Sequence, residues 1–384
     1  MPSEPNSPNI GKTKFFHHNE TFPLSCGKSL PAITLAYETY GELNAEKDNA
    51  ILLFHAMTGA QNASGWTEEV EGIGDRWTEE CKLGWWDGFI GPGKALDTDR
   101  FYVVCANYLG GCYGSTGPSS LNPETGKPYG SKFPPVSLSD MVDSQIALLD
   151  SMGIGRLRAA VGGSIGGMLS LDLAARYPDR VKNVIPIASG SHTPPLQRIH
   201  NFEQIYAIES DPNFNGGDYY DGDSPDKGLA LARMISHKTF ISLRTLETRA
   251  RTEVKQDEDH FDYYQLRHPV ESYMLHQGKK FVERFDANSY LRIAEAWQGY
   301  DLAASTGSDS VAEALSQGKD QRFLIFSIDS DVCYYPEQQA EIKEALNAAG
   351  IANMHITVHS EKGHDSFLLE PELYTPHLVF ALNG

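Results

Sequence analysis

Positive charge is scarce in this 384-residue sequence: 32 Lys and Arg stand against 51 Asp and Glu, a formal net charge of −19. This argues against non-specific nucleic-acid binding and against attachment to an anionic membrane. An anionic substrate would need a local cluster of positive charge or backbone N–H donors. Cysteine is scarce too. The five present are odd in number and contain no CxxC pair, which argues against a disulfide framework and a structural metal (zinc) site. No apolar run approaches the ~20 residues needed to span a bilayer. The N-terminus, Met1 to Gly11, is polar and Pro-rich, without the basic-then-apolar order of a signal peptide. A soluble, cytoplasmic protein is expected. No internal repeat or low-complexity tract occurs. What is present suits a globular chain: 40% hydrophobic and 10% aromatic residues, enough to bury a sizeable core.

Short apolar runs recur at Ala50–Phe54, Phe101–Ala106, Leu157–Val161, Val184–Ala188, Phe323–Ile328 and Met354–Val358. Continuous runs of this length suit strands buried on both faces, as in a parallel sheet. Thr34–Thr39 alternates more and suits an antiparallel edge. Between the runs lie helical patterns. Ser137 with Asp140 forms a capping box before an apolar face that ends at Gly153, and a second helix starts near Ser164 and stops before Pro178. This alternation predicts a mostly parallel, doubly wound α/β sheet. From about His192 to Ser310 the strand-like runs stop. Helical stretches take over at Gly228–Ser236, Val270–Phe285 and Ser289–Tyr300, with a loop at Asn213–Asp226. The expected organisation is an N-terminal core part over 1–190, a helical lid over 191–310 and a C-terminal core part over 311–384. The first dozen residues read as a flexible tail.

Residues Gly162, Ser164 and Gly166 form G-x-S-x-G directly after one of the buried runs and directly before a helix. The bare pattern is common; the strand–motif–helix context makes it a nucleophile elbow, with the glycines avoiding clashes at a strained turn. A serine nucleophile needs a base, and the base an orienting acid. Two late strands are followed by such groups: Asp329-Ser330-Asp331 after the first and Gly363-His364-Asp365 after the second. His364 is the expected base among 13 histidines, because of its loop after the last strand. Position alone does not separate Asp329 from Asp331 as the acid. The expected oxyanion hole combines the N–H of Ile165 with one from the loop His55–Gly59, Met57 being the favoured donor.

Further stretches carry a resemblance: LAYETYGE (35–42), FHAMTG (54–59), GPGKALDTDR (91–100), NYLGGCYGSTG (107–117), GLALARM (228–234), ESYMLHQGKKF (271–281), RFDANSY (284–290) and GHDSFLLE (363–370). In these the chain resembles the homoserine O-acetyltransferase family, acyltransferases of the α/β-hydrolase fold with a helical lid. The resemblance implies Ser164 as nucleophile, His364 as base and Asp331 rather than Asp329 as acid. It implies Arg233 and Asp365 as substrate-binding residues, chemically apt for an α-carboxylate and an α-ammonium. It further implies a homodimer formed through the lid, a ping-pong acetyl transfer from acetyl-CoA (acetyl-coenzyme A) to L-homoserine in methionine biosynthesis, no bound cofactor and no metal. Succinyl-using relatives often carry an arginine two residues after the acid, where this chain has Cys333, so acetyl is favoured; homoserine is favoured over serine from the His55–Gly59 loop. The alternatives are succinyl transfer to homoserine or serine, or an esterase on the same fold. Lys279, Lys280 and Arg284 are candidates to offset the charge of coenzyme A.

Overall fold

The computed structural model describes residues 11–249 and 263–384. Eight strands form one sheet: β1 (Lys14–His18), β2 (Ile33–Tyr40), β3 (Ala50–Phe54), β4 (Tyr102–Ala106), β5 (Leu157–Gly163), β6 (Val181–Ile187), β7 (Arg322–Ile328) and β8 (Ala352–Val358). Their spatial order is β1-β2-β4-β3-β5-β6-β7-β8. The pairs β1/β2 and β2/β4 are antiparallel and all the others parallel. Every residue of β3 is buried, as a continuous apolar run in the middle of a covered parallel sheet should be.

The main core helices are α1 (Leu138–Ser151), α2 (Ile165–Arg176), α8 (Pro336–Ala349) and α9 (Pro371–Asn383). The Ser137–Asp140 capping box is formed in both directions at the start of α1. Between β6 and β7 the chain adds α3 (Pro195–Glu209), α4 (Asp226–Phe240), α5 (Leu243–Arg249), α6 (Pro269–Arg284), α7 (Ala287–Gln298) and two shorter helices. No strand of the sheet lies there among the described residues. Residues 250–262 of the expected lid, and residues 1–10 of the expected tail, lie outside the described residues.

Two sequence expectations need correction. The Thr34–Thr39 segment is antiparallel, but it is not the edge: β1 pairs outside it, Lys14 opposite Tyr37 and His18 opposite Ile33. The Lys14–His18 segment, part-exposed and mixed in polarity, is bound through its backbone and carries little apolar signal. The Asn213–Asp226 loop is entered through a 3-10 turn over Pro212–Gly217 that is broken at Asn215 and Gly216, and it ends a residue early because Asp226 already belongs to α4.

Candidate active site

β5 ends at Gly163 and α2 starts at Ile165, so Ser164 alone makes the turn, with φ 60° and ψ −130°. Positive φ on a non-glycine residue is strained and persists only where its surroundings hold it. Here the Ser164 N–H donates to the Ile187 carbonyl at 2.9 Å, and its carbonyl accepts from Ser189 Oγ at 2.7 Å and the Gly167 N–H at 2.9 Å. The flanking glycines are required by space: a Cβ on Gly162 would lie 2.2 Å from the Gly166 carbonyl oxygen, and one on Gly166 2.4 Å from that of Phe54.

His364 and Asp331 meet above the C-terminal ends of β7 and β8. His364 Nδ1 donates to Asp331 Oδ2 at 2.7 Å, and both side chains are buried. Asp331 Oδ1 accepts from the N–H groups of Cys333 and Tyr334 at 2.7 and 2.9 Å, so the carboxylate is fixed at both oxygens. Burial alone would lower the His364 pKa, but the Asp331 carboxylate, with a smaller contribution from Asp365, raises it above the ordinary value of 6.5. The ring is wedged between Tyr334 and Phe367, with centroids at 5.4 and 5.3 Å. Its Nε2 is buried with no hydrogen-bond partner among the described residues. Asp329 instead engages His359 Nδ1 at 2.8 Å and the Ser360 N–H at 3.1 Å, on the exposed side of the loop. The geometry thus separates the two aspartates that position in the sequence left equivalent.

Ser164 and His364 line a cleft of about 510 Å³ together with Met57, Arg233, Arg284 and Asp365. The N–H of Met57 has no hydrogen-bond partner among the described residues. That of Ile165 stands at the first helical position, where its own helix offers no carbonyl. Arg233, half-buried on α4, lies over the rings of Phe240 and Phe281 at 5.3 and 5.0 Å. It has no carboxylate within salt-bridge distance among the described residues, and its Nε is unpartnered. Burial, helped by the Arg284 charge, pulls its pKa down to about 10, with Tyr290 and Asp365 opposing.

Residues 49–371 match the alpha/beta hydrolase fold family. A homoserine O-acetyltransferase of Methanohalobium evestigatum is 46% identical over 97% of this chain and 73% of its own length. The chain belongs to the homoserine O-acetyltransferase family. A homoserine O-succinyltransferase of Alkalilimnicola ehrlichii is 44% identical over 96% of this chain and 94% of its own. Among solved structures, the homoserine O-acetyltransferase of Bacillus anthracis superposes with a TM-score of 0.87 at 28% identity, covering 98% of both chains. Esterase E22 superposes with a TM-score of 0.85 at 27% identity, covering 97% of this chain and 100% of its own. Homoserine O-acetyltransferase relatives and an esterase thus share this scaffold.

The sequence reading gave Tyr334 no role at the site and Arg284 a different one. Tyr334, stacked on His364, also faces Ser164. Arg284 was expected among bases offsetting coenzyme A, but it turns into the cleft, donating to the Thr58 carbonyl at 3.2 Å and to the Tyr113 hydroxyl at 3.1 Å. Lys280 pairs with Glu80 instead of standing free. Cys333 is buried and does not line the cleft. The available signal for Arg284 was its place in RFDANSY, at the end of a helix running to the cleft.

Proposed function

We propose that this protein transfers an acetyl group from acetyl-CoA to the γ-hydroxyl of L-homoserine by a ping-pong mechanism through Ser164. One juxtaposition supports this above all: the strained serine and the base of the His364–Asp331 pair share a cleft with an arginine that has no carboxylate within salt-bridge distance among the described residues. In the first half-reaction His364 Nε2 takes the Ser164 proton as Oγ attacks the thioester carbonyl. The N–H groups of Met57 and Ile165 receive the oxyanion. Collapse breaks the carbon–sulfur bond, and coenzyme A leaves as the free thiol, taking the proton from His364, which is again the neutral base. In the second, homoserine enters with its α-carboxylate on Arg233 and its α-ammonium near Asp365. His364 takes the γ-hydroxyl proton, the oxygen attacks the acyl-enzyme, and Ser164 Oγ recovers the proton as the ester departs. These steps use side chains and backbone donors alone, without metal or prosthetic group.

Acetyl as the donor is supported by the missing arginine two residues after Asp331. The succinyl-named relative at 44% identity makes the donor the first thing to test. Thiol release should be measured with acetyl- or succinyl-coenzyme A, each with homoserine, serine or no acceptor. Fast release only with acetyl-coenzyme A and homoserine is expected. Acceptor-independent release would make the protein a hydrolase, and preference for succinyl-coenzyme A would replace the donor.

A homodimer through the lid is proposed on the polarity of α3. This helix buries Gln197, Asn201 and Gln204 while exposing Leu196, Ile199 and Phe202. Such an outward apolar face is what a partner copy would cover. A monomer by light scattering at assay concentration would remove this element.

A further inference from the structure

The loop that carries the Met57 N–H is held by two side chains from different directions. The Ala56 carbonyl accepts from His55 Nδ1 at 2.7 Å and from the Gly59 N–H at 3.0 Å. A carbonyl only accepts, so the His55 proton sits on Nδ1. Burial pushes the His55 pKa down to about 4, keeping the ring neutral. Its Nε2 faces Asn107 Nδ2 at 3.5 Å, and the ring stacks on Tyr108 at 3.7 Å. The Thr58 carbonyl accepts from Arg284. Arg284 is the last residue of α6, lies over the Phe281 ring at 5.0 Å, and is tied to the core by Tyr113, whose hydroxyl donates to the Arg284 carbonyl at 2.7 Å.

In a trans peptide the carbonyl and the following N–H point in opposite directions. The Ala56 oxygen and the Met57 N–H belong to one such plane, and the Thr58 oxygen and the Gly59 N–H to another. The Gly59 N–H joins the two planes by donating to the Ala56 oxygen, so holding the Thr58 oxygen orients the Gly59 N–H, which helps hold the Ala56 oxygen and with it the plane that carries the Met57 N–H. The Met57 N–H is then directed away from the His55 ring, on a residue that lines the cleft. We infer that Arg284 and His55 are positioning residues for the oxyanion hole, aiming the Met57 N–H by holding the Thr58 and Ala56 carbonyls. Arg284 comes from the lid and Thr58 from the core, so the oxyanion hole is complete only when α6 is docked.

This inference rests on the acyl-enzyme mechanism proposed above, and its consequence is specific. Both half-reactions pass through an oxyanion at the same place, so a misaimed donor slows both equally, whatever the leaving group. Arg284→Met keeps the apolar stem on Phe281 and removes the donor. Pre-steady-state acylation should be followed with acetyl-coenzyme A and with p-nitrophenyl acetate, a small donor that needs no coenzyme A contacts, and deacylation with homoserine. All three rates should fall together by roughly 10- to 100-fold, less than the 10²–10³ typical of losing an oxyanion donor outright. Arg284→Lys, able to donate to Thr58, should recover most of the loss. Should Arg284→Met fail to fold, Tyr113→Phe, which frees the fork, should show the same parallel slowing at roughly threefold or more. Wild-type acylation by p-nitrophenyl acetate in a folded Arg284→Met or Tyr113→Phe variant would overturn the inference, as would a loss confined to homoserine or to acetyl-coenzyme A. A wild-type protein that never acylates Ser164 would instead remove the mechanism on which it rests.

Discussion

Replacing Arg233 by methionine should separate the two half-reactions. Methionine keeps much of the apolar stem lying over Phe240 and Phe281 and deletes the charge. Burial and the neighbouring Arg284 charge pull the arginine pKa down to about 10, so holding the cation in the cleft without a bound carboxylate carries a desolvation cost. A substrate carboxylate would relieve that cost. Removing one partner of such a buried charge pair costs ~2–5 kcal/mol, so kcat/KM for homoserine should fall by roughly 30- to 5,000-fold. Acylation does not involve the acceptor, so the burst of coenzyme A on mixing with acetyl-coenzyme A should keep its rate and amplitude. The unfolding midpoint should hold or rise, because a strained charge has been removed. Stopped-flow thiol detection and thermal unfolding measure all three. Loss of the burst would refute the acceptor assignment, and a large fall in the midpoint would show that Arg233 serves the fold.

Three more outcomes follow from the site. Asp331→Asn should lower turnover by about 10⁴-fold by removing the group that fixes the imidazole tautomer, whereas Asp329→Asn, exposed beside His359, should cost less than about threefold; the reverse ranking would reassign the acid. The acylation rate should rise with pH through a limb centred above 6.5, because the raised His364 pKa keeps the base protonated up to a higher pH. Asp365→Asn should move that limb down; the same raised pKa gives stability that is present below 6.5 and lost as pH rises through the folded value. Gly363→Ala should lower both the unfolding midpoint and kcat, by about 2 kcal/mol or more in stability, since φ is +74° there and a Cβ would lie 2.5 Å from the Ser242 N–H of the lid segment.

The sheet was legible where strands are apolar on both faces: β3 matches its expected bounds, and β7 begins only one residue earlier; β8, an edge strand of mixed polarity, begins two residues earlier than its Met354–Val358 run. β1 was not, because its pairing is a backbone matter and its side chains are mixed. Helix α3 was also missed. Over its first three turns it buries Gln197, Asn201 and Gln204, and only near its end Ala207 and Ile208, so the polarity that marks a helix is inverted along most of its length. At the site, Ser164 announced itself because a strained elbow demands glycines at fixed positions. The acid did not, since Asp329 and Asp331 differ only in which side of one loop they face. The clamp on the oxyanion loop was out of reach for another reason: Arg284 and Thr58 are 226 positions apart, and no local pattern links them.

The central claim is that acyl groups pass through Ser164. Its most direct test is peptide-resolved mass spectrometry after brief exposure to acetyl-coenzyme A, followed by a chase with L-homoserine. One acetyl group on the peptide containing Ser164, lost on the chase with equivalent formation of O-acetylhomoserine and absent in a folded Ser164→Ala variant, is the expected result. Undiminished turnover in Ser164→Ala, or product formation with no acetyl ever found on Ser164, would contradict it.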